Sequence, residues 1–161
     1  MSESYKNAIL NKILSEFTSG NKISAFNKLE KFQSEYPHDY LAKYNFGYMC
    51  QQLNKIELAK KIYLKIISKI KDHWQSRFNL YTIYIGEKSY ILALKYINEV
   101  LILKKNFQPA QRDKALVLHY LKKPDKGIAY INSSIQQNPL DYLAFNTLGL
   151  IQIALNNFDE A

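Results

Sequence analysis

The residues best suited to binding chemistry are four polar side chains that return at a constant interval, Asn11, Asn45, Asn79 and Asp113. We call the step from each to the next the repeat interval. A carboxamide has two N–H donors and a carbonyl acceptor, so it can hold a peptide backbone bidentately whatever side chains the peptide carries. The spacing raises the hypothesis of a row of groups that contact a ligand. The alternative is that these residues are only a part of a structural repeat, and the sequence leaves both readings open.

No residue set in the chain is typical of an active site. The three histidines include no pair four residues apart and the single cysteine forms no Cys-x-x-Cys motif, so a metal site is not expected. A glycine-rich phosphate loop is also missing. The acidic residues lack the apolar setting that would raise a carboxyl pKa for acid–base catalysis. We therefore predict that these residues form no enzyme and bind no cofactor or metal.

The net charge of +8 comes from 22 basic and 14 acidic residues. Clustered cations would suit nucleic acid, because they displace the counterions of the phosphate backbone. However, only Arg77 and Arg112 are arginine, the residue whose planar fork is favoured for phosphate contacts. The lysine pairs at 60–61, 104–105 and 122–123 lie at different helix phases. Solvated helix faces are therefore favoured over an RNA-binding surface, which would retain the protein on heparin until moderate salt.

The single cysteine and the N-terminus bear on location. Cys50 has no partner for an internal disulfide, which suits a reducing compartment, and its place in the helical pattern predicts a buried packing role. The first residues show no apolar segment behind a basic start, as a signal peptide would. No run approaches the roughly 20 apolar residues that a membrane span needs. We predict a cytoplasmic protein without a membrane span.

Small residues form a second column with the same repeat interval, and its members are Ala25, Ala59, Ala93, Gly127 and Ala161. Such a period marks a place where a repeated unit needs two helices to approach closely. Within each interval the apolar residues recur every three and four positions, which is the helical pattern. The second interval predicts a first helix over about 40–53, a turn over 53–57, and a second helix after it. Proline, which stops helices, falls between units at Pro37 and Pro139.

Several motifs resemble those of the tetratricopeptide-repeat family, whose period of about 34 residues the columns keep. Residues 44–47 and 145–149 are similar to its first-helix signature, residues 53–59 and 156–161 to its turn and second-helix start, and Pro37 and Pro139 to its closing proline. The resemblance covers nearly the whole chain. It implies an all-α, right-handed α-solenoid of stacked antiparallel helix–turn–helix repeats. The expected repeats of this single solenoid, 1–161, are about 6–39, 40–73, 74–107, 108–141 and 142–161.

Two units depart from the family pattern. The first has Lys12 and Ile13 where an apolar residue and a small residue are expected, and an extra residue near Gly20 would explain this. The fourth has Lys114 in an apolar slot and Pro124 at the turn. We expect these departures to alter local helix boundaries and to leave the fold unchanged.

In this family the first helices line a concave groove, so the resemblance implies that the Asn column lies on or near that surface. The row is similar to the asparagine ladder of O-linked N-acetylglucosamine transferases. The family's clamp for acidic chaperone tails needs cations that are missing from the matching slots here, so such tails are disfavoured. We predict a protein–protein interaction scaffold whose groove binds a peptide or a helix of a partner. Its candidate residues are Asn11, Leu41, Tyr44, Asn45, Tyr48, Phe78, Asn79, Ile85 and Asp113.

The last unit breaks off at Ala161, which the pattern places in the first turn of a second helix. Its first helix would then lack its usual cover, since arrays normally finish with a polar capping element. We therefore expect the chain to be a fragment, with more repeats or another domain beyond it, and we expect self-association through the uncapped repeat. The alternative function is the N-terminal repeat region of a larger enzyme, such as a glycosyltransferase or a sulfotransferase, whose catalytic domain is absent from this chain.

Overall fold

A computed structural model of the protein describes residues 3–159, and in this range the regular structure is helical throughout, without a strand. The chain divides into two compact units, Met1–Lys71 and Asp72–Ala161. Each unit is built from helices that pack against their neighbours in sequence. The all-α class predicted from the sequence is confirmed.

The first unit contains two helix pairs. Helix α1 (Glu3–Thr18) packs against α2 (Lys22–Glu35), and α3 (Tyr40–Gln52) packs against α4 (Ile56–Lys69). Contacts between α2 and α3 join the pairs. Their apolar stripes meet in a core that includes Leu10, Ile13, Phe17, Ala25, Phe26, Leu29, Phe32, Ala42, Phe46, Met49, Cys50, Ala59, Tyr63 and Ile66.

The second unit begins with the pair α5 (Trp74–Gly86) and α6 (Tyr90–Leu103). It continues with α7 (Gln108–Tyr120), a 3-10 helix (Pro124–Gly127) and α8 (Ile128–Gln137), and then α9 (Tyr142–Asp159). Helix α9 packs against both α7 and α8 through Ala144 and Ile151. The starts of α3, α5, α7 and α9 keep the repeat interval of the sequence columns.

One type of turn joins the two helices of each pair. Its central residue has a left-handed backbone, with φ of 58° at Asn54, Lys88 and Lys122 and of 105° at Gly20. In the α3–α4 turn the Lys55 N–H donates to the Cys50 carbonyl at 2.8 Å, while the Asn54 N–H donates to the Gln51 carbonyl at 3.1 Å. These two bonds define a Schellman motif, which satisfies the last carbonyls of a helix.

The structure corrects the expectation of an extra residue near Gly20. Gly20 lies one repeat interval before Asn54 and plays the same part in its turn, so the period is kept without an insertion. The departure of Lys12 and Ile13 from the family pattern has another explanation. Helix α1 buries one stripe that includes Ile13, whereas Lys12 is exposed and needs no apolar partner.

The fourth unit shows the boundary change expected from Pro124. Proline has a fixed φ and no N–H, so it suits the first turn of a helix. Here the first turn after Pro124 is a 3-10 helix, and the α-helix begins only at Ile128. Helix α8 therefore has 10 residues, against 14 in each of α2, α4 and α6.

The small-residue column lies where the two helices of a pair meet. Ala25, Ala59 and Ala93 are fully buried, and Gly127 is also buried. Ala161 lies outside the described residues. The turn and second-helix start expected over residues 156–161 are wrong for the described part of that span, because α9 continues to Asp159.

Candidate peptide-binding surfaces

An exposed apolar patch on α3 surrounds one of the four polar residues of the Asn column. Leu41, Asn45 and Tyr48 are spaced by four and three residues, which places them on the same side of a helix. The side chains of Leu41 and Tyr48 are 56% and 43% exposed, although both are large and apolar. We call these three residues the α3 face.

Asn45 keeps most of its hydrogen-bonding capacity. Its Nδ2 donates one hydrogen bond to the backbone carbonyl of Leu41 at 2.8 Å, one helical turn earlier. This bond fixes the orientation of the carboxamide on the helix. The second Nδ2–H and the carbonyl oxygen have no partner among the described residues. They form the donor–acceptor pair that a peptide backbone can meet.

Helix α4 supports the α3 face from behind. The rings of Tyr44 and Tyr63 lie 6.0 Å apart between centroids, and the Tyr63 hydroxyl donates to Gln51 Oε1 at 3.2 Å. Tyr63 is completely buried. It also lies against Gly47, where an added Cβ would stand 2.8 Å from the Tyr63 Cε1 atom. The half-buried Tyr44 therefore serves as a base for the α3 face, and α3 cannot move away from α4 without opening the core.

In the second unit the candidate residues of α5 are half-buried. The Phe78 ring is 5.5 Å from the Tyr81 ring and 5.4 Å from the Phe107 ring. Phe107 also meets the edge of Trp74 at 4.9 Å, so Phe78 belongs to an aromatic cluster that joins α5 to the start of α7. Asn79 and Ile85 are half-buried on the same helix.

Asp113 has an environment unlike that of the three asparagines in its column. Its side chain is buried, and its Oδ1 accepts a hydrogen bond from Arg112 Nε at 2.8 Å. Burial raises the pKa of Asp113, although Arg112 and the Tyr81 hydroxyl oppose this by stabilising the carboxylate. The carboxylate is thus occupied within its own unit.

Asp113 is one member of a polar cluster around Arg112 that sequence reasoning missed. Arg112 Nη1 donates to Asp141 Oδ2 at 3.0 Å, and Gln108 Nε2 donates to the same oxygen at 2.8 Å. Burial acts to raise the pKa of Asp141, but the hydrogen bonds from Gln108 and Arg112 outweigh it, and the pKa is lowered. The Asp141 carboxylate also accepts the N–H of Leu143 at 3.0 Å, at the start of α9.

A signal for this cluster exists in the sequence. Position 141 continues a column of helix caps that keeps the repeat interval, in which Asp39 accepts the Ala42 N–H at 2.9 Å and His73 accepts the Ser76 N–H at 3.2 Å. Asp141 at a capping position, together with Arg112 as one of only two arginines in the chain, could have indicated this ion pair.

The structure brings together the residues of α3 but does not assemble all nine candidates at one place. Leu41, Tyr44, Asn45 and Tyr48 share one stretch of α3, whereas Asn11 is exposed on α1. Phe78, Asn79, Ile85 and Asp113 belong to the second unit. The α3 face is thus the candidate site with the best-defined geometry.

The remaining chemistry of the described residues is sparse. Cys50 is buried, and burial raises the pKa of its thiol to about 11, so it is a packing residue and not a nucleophile. Residues 3–159 contain no group of three His, Cys, Asp or Glu side chains that could hold a metal ion. Within the same range, none of the helices combines the length and apolar character required to cross a membrane.

Comparisons with known proteins bear on the fold. No protein-family model matches the sequence, and no curated protein matches it. A tetratricopeptide repeat protein from Parabacteroides merdae matches 96% of this chain with a TM-score of 0.83 and 18% sequence identity. MamA from Desulfovibrio magneticus matches 99% of it with a TM-score of 0.83 and 17% identity. The chain has the tetratricopeptide-repeat fold.

A third tetratricopeptide-repeat structure, YrrB, is a protein with an unusual peptide-binding site. It matches 92% of this chain with a TM-score of 0.77 and 17% identity. This chain spans 62% of the Parabacteroides protein, 94% of the MamA chain and 77% of the YrrB chain. Identities this low establish the tetratricopeptide-repeat fold alone, so function has to be argued from the residues.

Proposed function

We propose that this chain is a protein–protein interaction module that binds a peptide or a helix of a partner protein through the α3 face. The observation that carries the proposal is the combination on one helix side of two exposed apolar side chains, Leu41 and Tyr48, with the carboxamide of Asn45 between them. Apolar patches with polar groups among them commonly mark partner sites on proteins. The tetratricopeptide-repeat fold and the peptide-binding site of YrrB support the same conclusion.

The two kinds of group divide the work of recognition. Asn45 can donate one hydrogen bond and accept another from an extended backbone, which sets the position of the peptide without reading its side chains. Leu41 and Tyr48 can cover apolar side chains of the partner, and burying each is worth about 1–2 kcal/mol for roughly half of its surface. Apolar contacts with Leu41 and Tyr48 therefore select the sequence of the peptide, while Asn45 sets its register.

In the second unit we propose Phe78, Asn79 and Ile85 as contacts for the same kind of partner. Their support is the matching period of Asn45 and Asn79 and the aromatic cluster that holds Phe78 in place. Asn11 on α1 is proposed as a further polar contact. For Asp113 we propose a positioning part, because its carboxylate already pairs with Arg112.

Mutation of the α3 face tests the proposal. Peptides are selected on the full chain from a random peptide library, and their affinity is measured by fluorescence polarisation. Asn45→Ala and Tyr48→Ala should each weaken binding about tenfold, since a hydrogen bond or a buried aromatic edge contributes about 1–2 kcal/mol. Leu64→Ala is the matched control, because Leu64 is also exposed but lies on α4.

Circular dichroism distinguishes loss of binding from loss of structure. The substituted side chains are at least partly exposed, so the helical signal should be unchanged. The free energy of unfolding from thermal melts should stay within about 0.5 kcal/mol of the original value. Equal affinity of the Asn45→Ala, Tyr48→Ala and Leu64→Ala variants would refute binding at the α3 face. No observation on the described residues favours the larger-enzyme alternative, which remains a prediction from the family resemblance.

A further inference from the structure

A pocket in the second unit combines two lysines with an apolar wall. It has a volume of about 560 Å³ and lies where α6, α7 and α8 meet. Its polar lining comes from Asn98, Lys105, Gln111 and Lys114, and its apolar lining from Leu101, Ile102 and the Tyr130 ring. The pocket is separate from the α3 face, which belongs to the first unit.

Lys114 is the unusual residue of this pocket. It occupies a column whose other members, at the repeat interval, are Phe46, Leu80 and Leu148. Phe46 and Leu80 are buried core residues. In the fourth unit, a lysine replaces this core side chain, and its Nζ lies 4.0 Å from the centre of the Tyr130 ring. The same Nζ donates a hydrogen bond to the Tyr130 hydroxyl at 2.7 Å.

The cations of the pocket are available for a ligand. An ammonium group has three donors, and the Tyr130 hydroxyl takes one of those of Lys114. No carboxylate lines the pocket, and neither Lys105 nor Lys114 forms an ion pair within the described part of the chain. By contrast, two pockets of the first unit include carboxylates in their walls, such as Glu16 and Glu35.

The wall of the pocket is held in place by its own hydrogen bonds. Gln111 Nε2 donates to the Lys105 backbone carbonyl at 3.2 Å, while Gln111 Oε1 accepts from the Gln137 amide at 2.6 Å and the Ser133 hydroxyl at 3.0 Å. Gln111 therefore ties the loop that carries Lys105 to α8. The Oδ1 atom of Asn98, which is buried in the lining, has no hydrogen-bond donor among the described residues.

We propose that this pocket binds an acidic segment of a partner peptide, with a Glu or Asp carboxylate at Lys105 and Lys114 and a neighbouring apolar side chain on Leu101 and Ile102. The ammonium groups supply charge-assisted hydrogen bonds to the carboxylate, and the apolar wall packs against the neighbouring apolar side chain of the peptide. An apolar wall favours a peptide over nucleic acid, whose backbone would require a longer track of cations. The inference rests on the proposed function only in taking a peptide as the ligand.

An NMR titration of the full chain tests this site. The probe is the acetylated and amidated peptide Gly-Leu-Glu-Leu-Glu-Gly, and its control carries Gln in place of both Glu residues. We expect saturable amide shifts within residues 98–105 and 111–114 for the acidic peptide only. A Lys114→Leu variant should weaken binding about tenfold, the effect of losing one charge-assisted hydrogen bond. Leu80 and Leu148 show that the column accepts leucine.

Matched variants separate the pocket from general charge effects. Lys122→Gln removes one positive charge from an exposed turn outside the pocket and should leave the affinity unchanged. Lys114→Arg keeps the charge and should retain most of the binding. If Lys114→Leu impairs folding, Lys105→Gln on the exposed loop replaces it, with the same expected loss.

Three outcomes would overturn the proposal. They are equal shifts with the Gln-containing peptide, unchanged affinity in both the Lys114→Leu and Lys105→Gln variants, and pocket shifts with a ten-nucleotide oligothymidine but not with the acidic peptide. The site is also distinguishable from the α3 face. Asn45→Ala with Tyr48→Ala should leave the pocket shifts unchanged, so each binding surface can fail without the other.

Discussion

Two glycines at the same repeat position should respond in opposite directions to the same substitution. Gly47 and Gly149 are separated by three repeat intervals, and both lie inside helices. Alanine has a better helix propensity than glycine by about 1 kcal/mol. Without tertiary contacts, both variants should therefore gain stability.

The surroundings of the added Cβ decide the sign. At position 47 the Cβ would lie 2.8 Å from Tyr63 Cε1 and 3.1 Å from Ile62 Cγ2. At position 149 no atom of the described residues lies within 4 Å, apart from the adjacent residues and the nearby backbone of the helix itself. Tyr63 cannot shift easily, because it is fully buried and its hydroxyl is bonded to Gln51. Overpacking of this kind costs about 1–3 kcal/mol.

The net effects follow from these two contributions. Gly47→Ala should lower the free energy of unfolding by up to about 2 kcal/mol, and Gly149→Ala should raise it by about 0.5–1 kcal/mol. Urea titrations followed by circular dichroism at the helical band give both values from the shift of the midpoint. A stabilised Gly47→Ala variant, with a gain equal to that of Gly149→Ala, would show that α3 and α4 do not approach as closely as described.

Four further predictions concern the caps, turns and buried groups. Burial lowers the pKa of His73, helped by Arg77 and opposed by its own backbone hydrogen bond and Asp72, so the unfolded chain binds a proton first as the pH falls below 6.5. The stability from its cap, about 1 kcal/mol, is then present at pH 7.5 and lost as the pH falls through the folded pKa. A His73→Asn variant should lose less stability than the original chain between pH 7.5 and 5 in thermal melts. Equal losses in the two proteins would contradict the role of His73 as a cap. Lys88→Gly relieves a left-handed backbone and should raise the unfolding free energy by roughly 0.5–1 kcal/mol, whereas a decrease in urea titration would argue against this turn. Arg112→Leu removes the ion-pair partner of the buried Asp113 carboxylate and should cost about 3 kcal/mol at pH 7. Because burial raises the pKa of Asp113, the loss should become smaller as the pH is lowered and the carboxyl is protonated; a pH-independent loss would exclude the charge as its cause. The Cys50 thiol should react with Ellman's reagent only in denaturant, and rapid labelling of the folded chain would rule out its burial.

Much of the architecture could be predicted from the sequence because it depends on local periodicity. The starts of α3, α5, α7 and α9 follow from the repeat interval. The turns within the helix pairs follow from the same interval, because their central residues are Gly20, Asn54, Lys88 and Lys122. The end of α9 could not be predicted this way. The pattern of residues 156–161 resembles a turn and a second-helix start, whereas α9 continues to Asp159, because a helix end depends on tertiary contacts that a local pattern does not specify.

The candidate site was less predictable, because its chemistry depends on partners far apart in the sequence. Asp113 shares a column with Asn45, but the structure gives it Arg112 beside it, which itself pairs with Asp141, 29 residues further along the chain. Lys114 is unusual for its column in the sequence, but its contact with Tyr130, 16 residues away, could not be predicted from that column. A column shows which position a residue has in the repeat, whereas the function of that residue depends on the side chains that contact it in the folded chain.

The most direct test of the proposed function is to locate a bound peptide on the chain. Amide shifts in a ¹⁵N-labelled sample are mapped during titration with a peptide selected from a random library. The proposal predicts shifts centred on Leu41, Asn45 and Tyr48, which disappear in an Asn45→Ala, Tyr48→Ala double variant with an unchanged fold. Shifts confined to α2 and α4, with α3 unaffected and the double variant still binding, would contradict it.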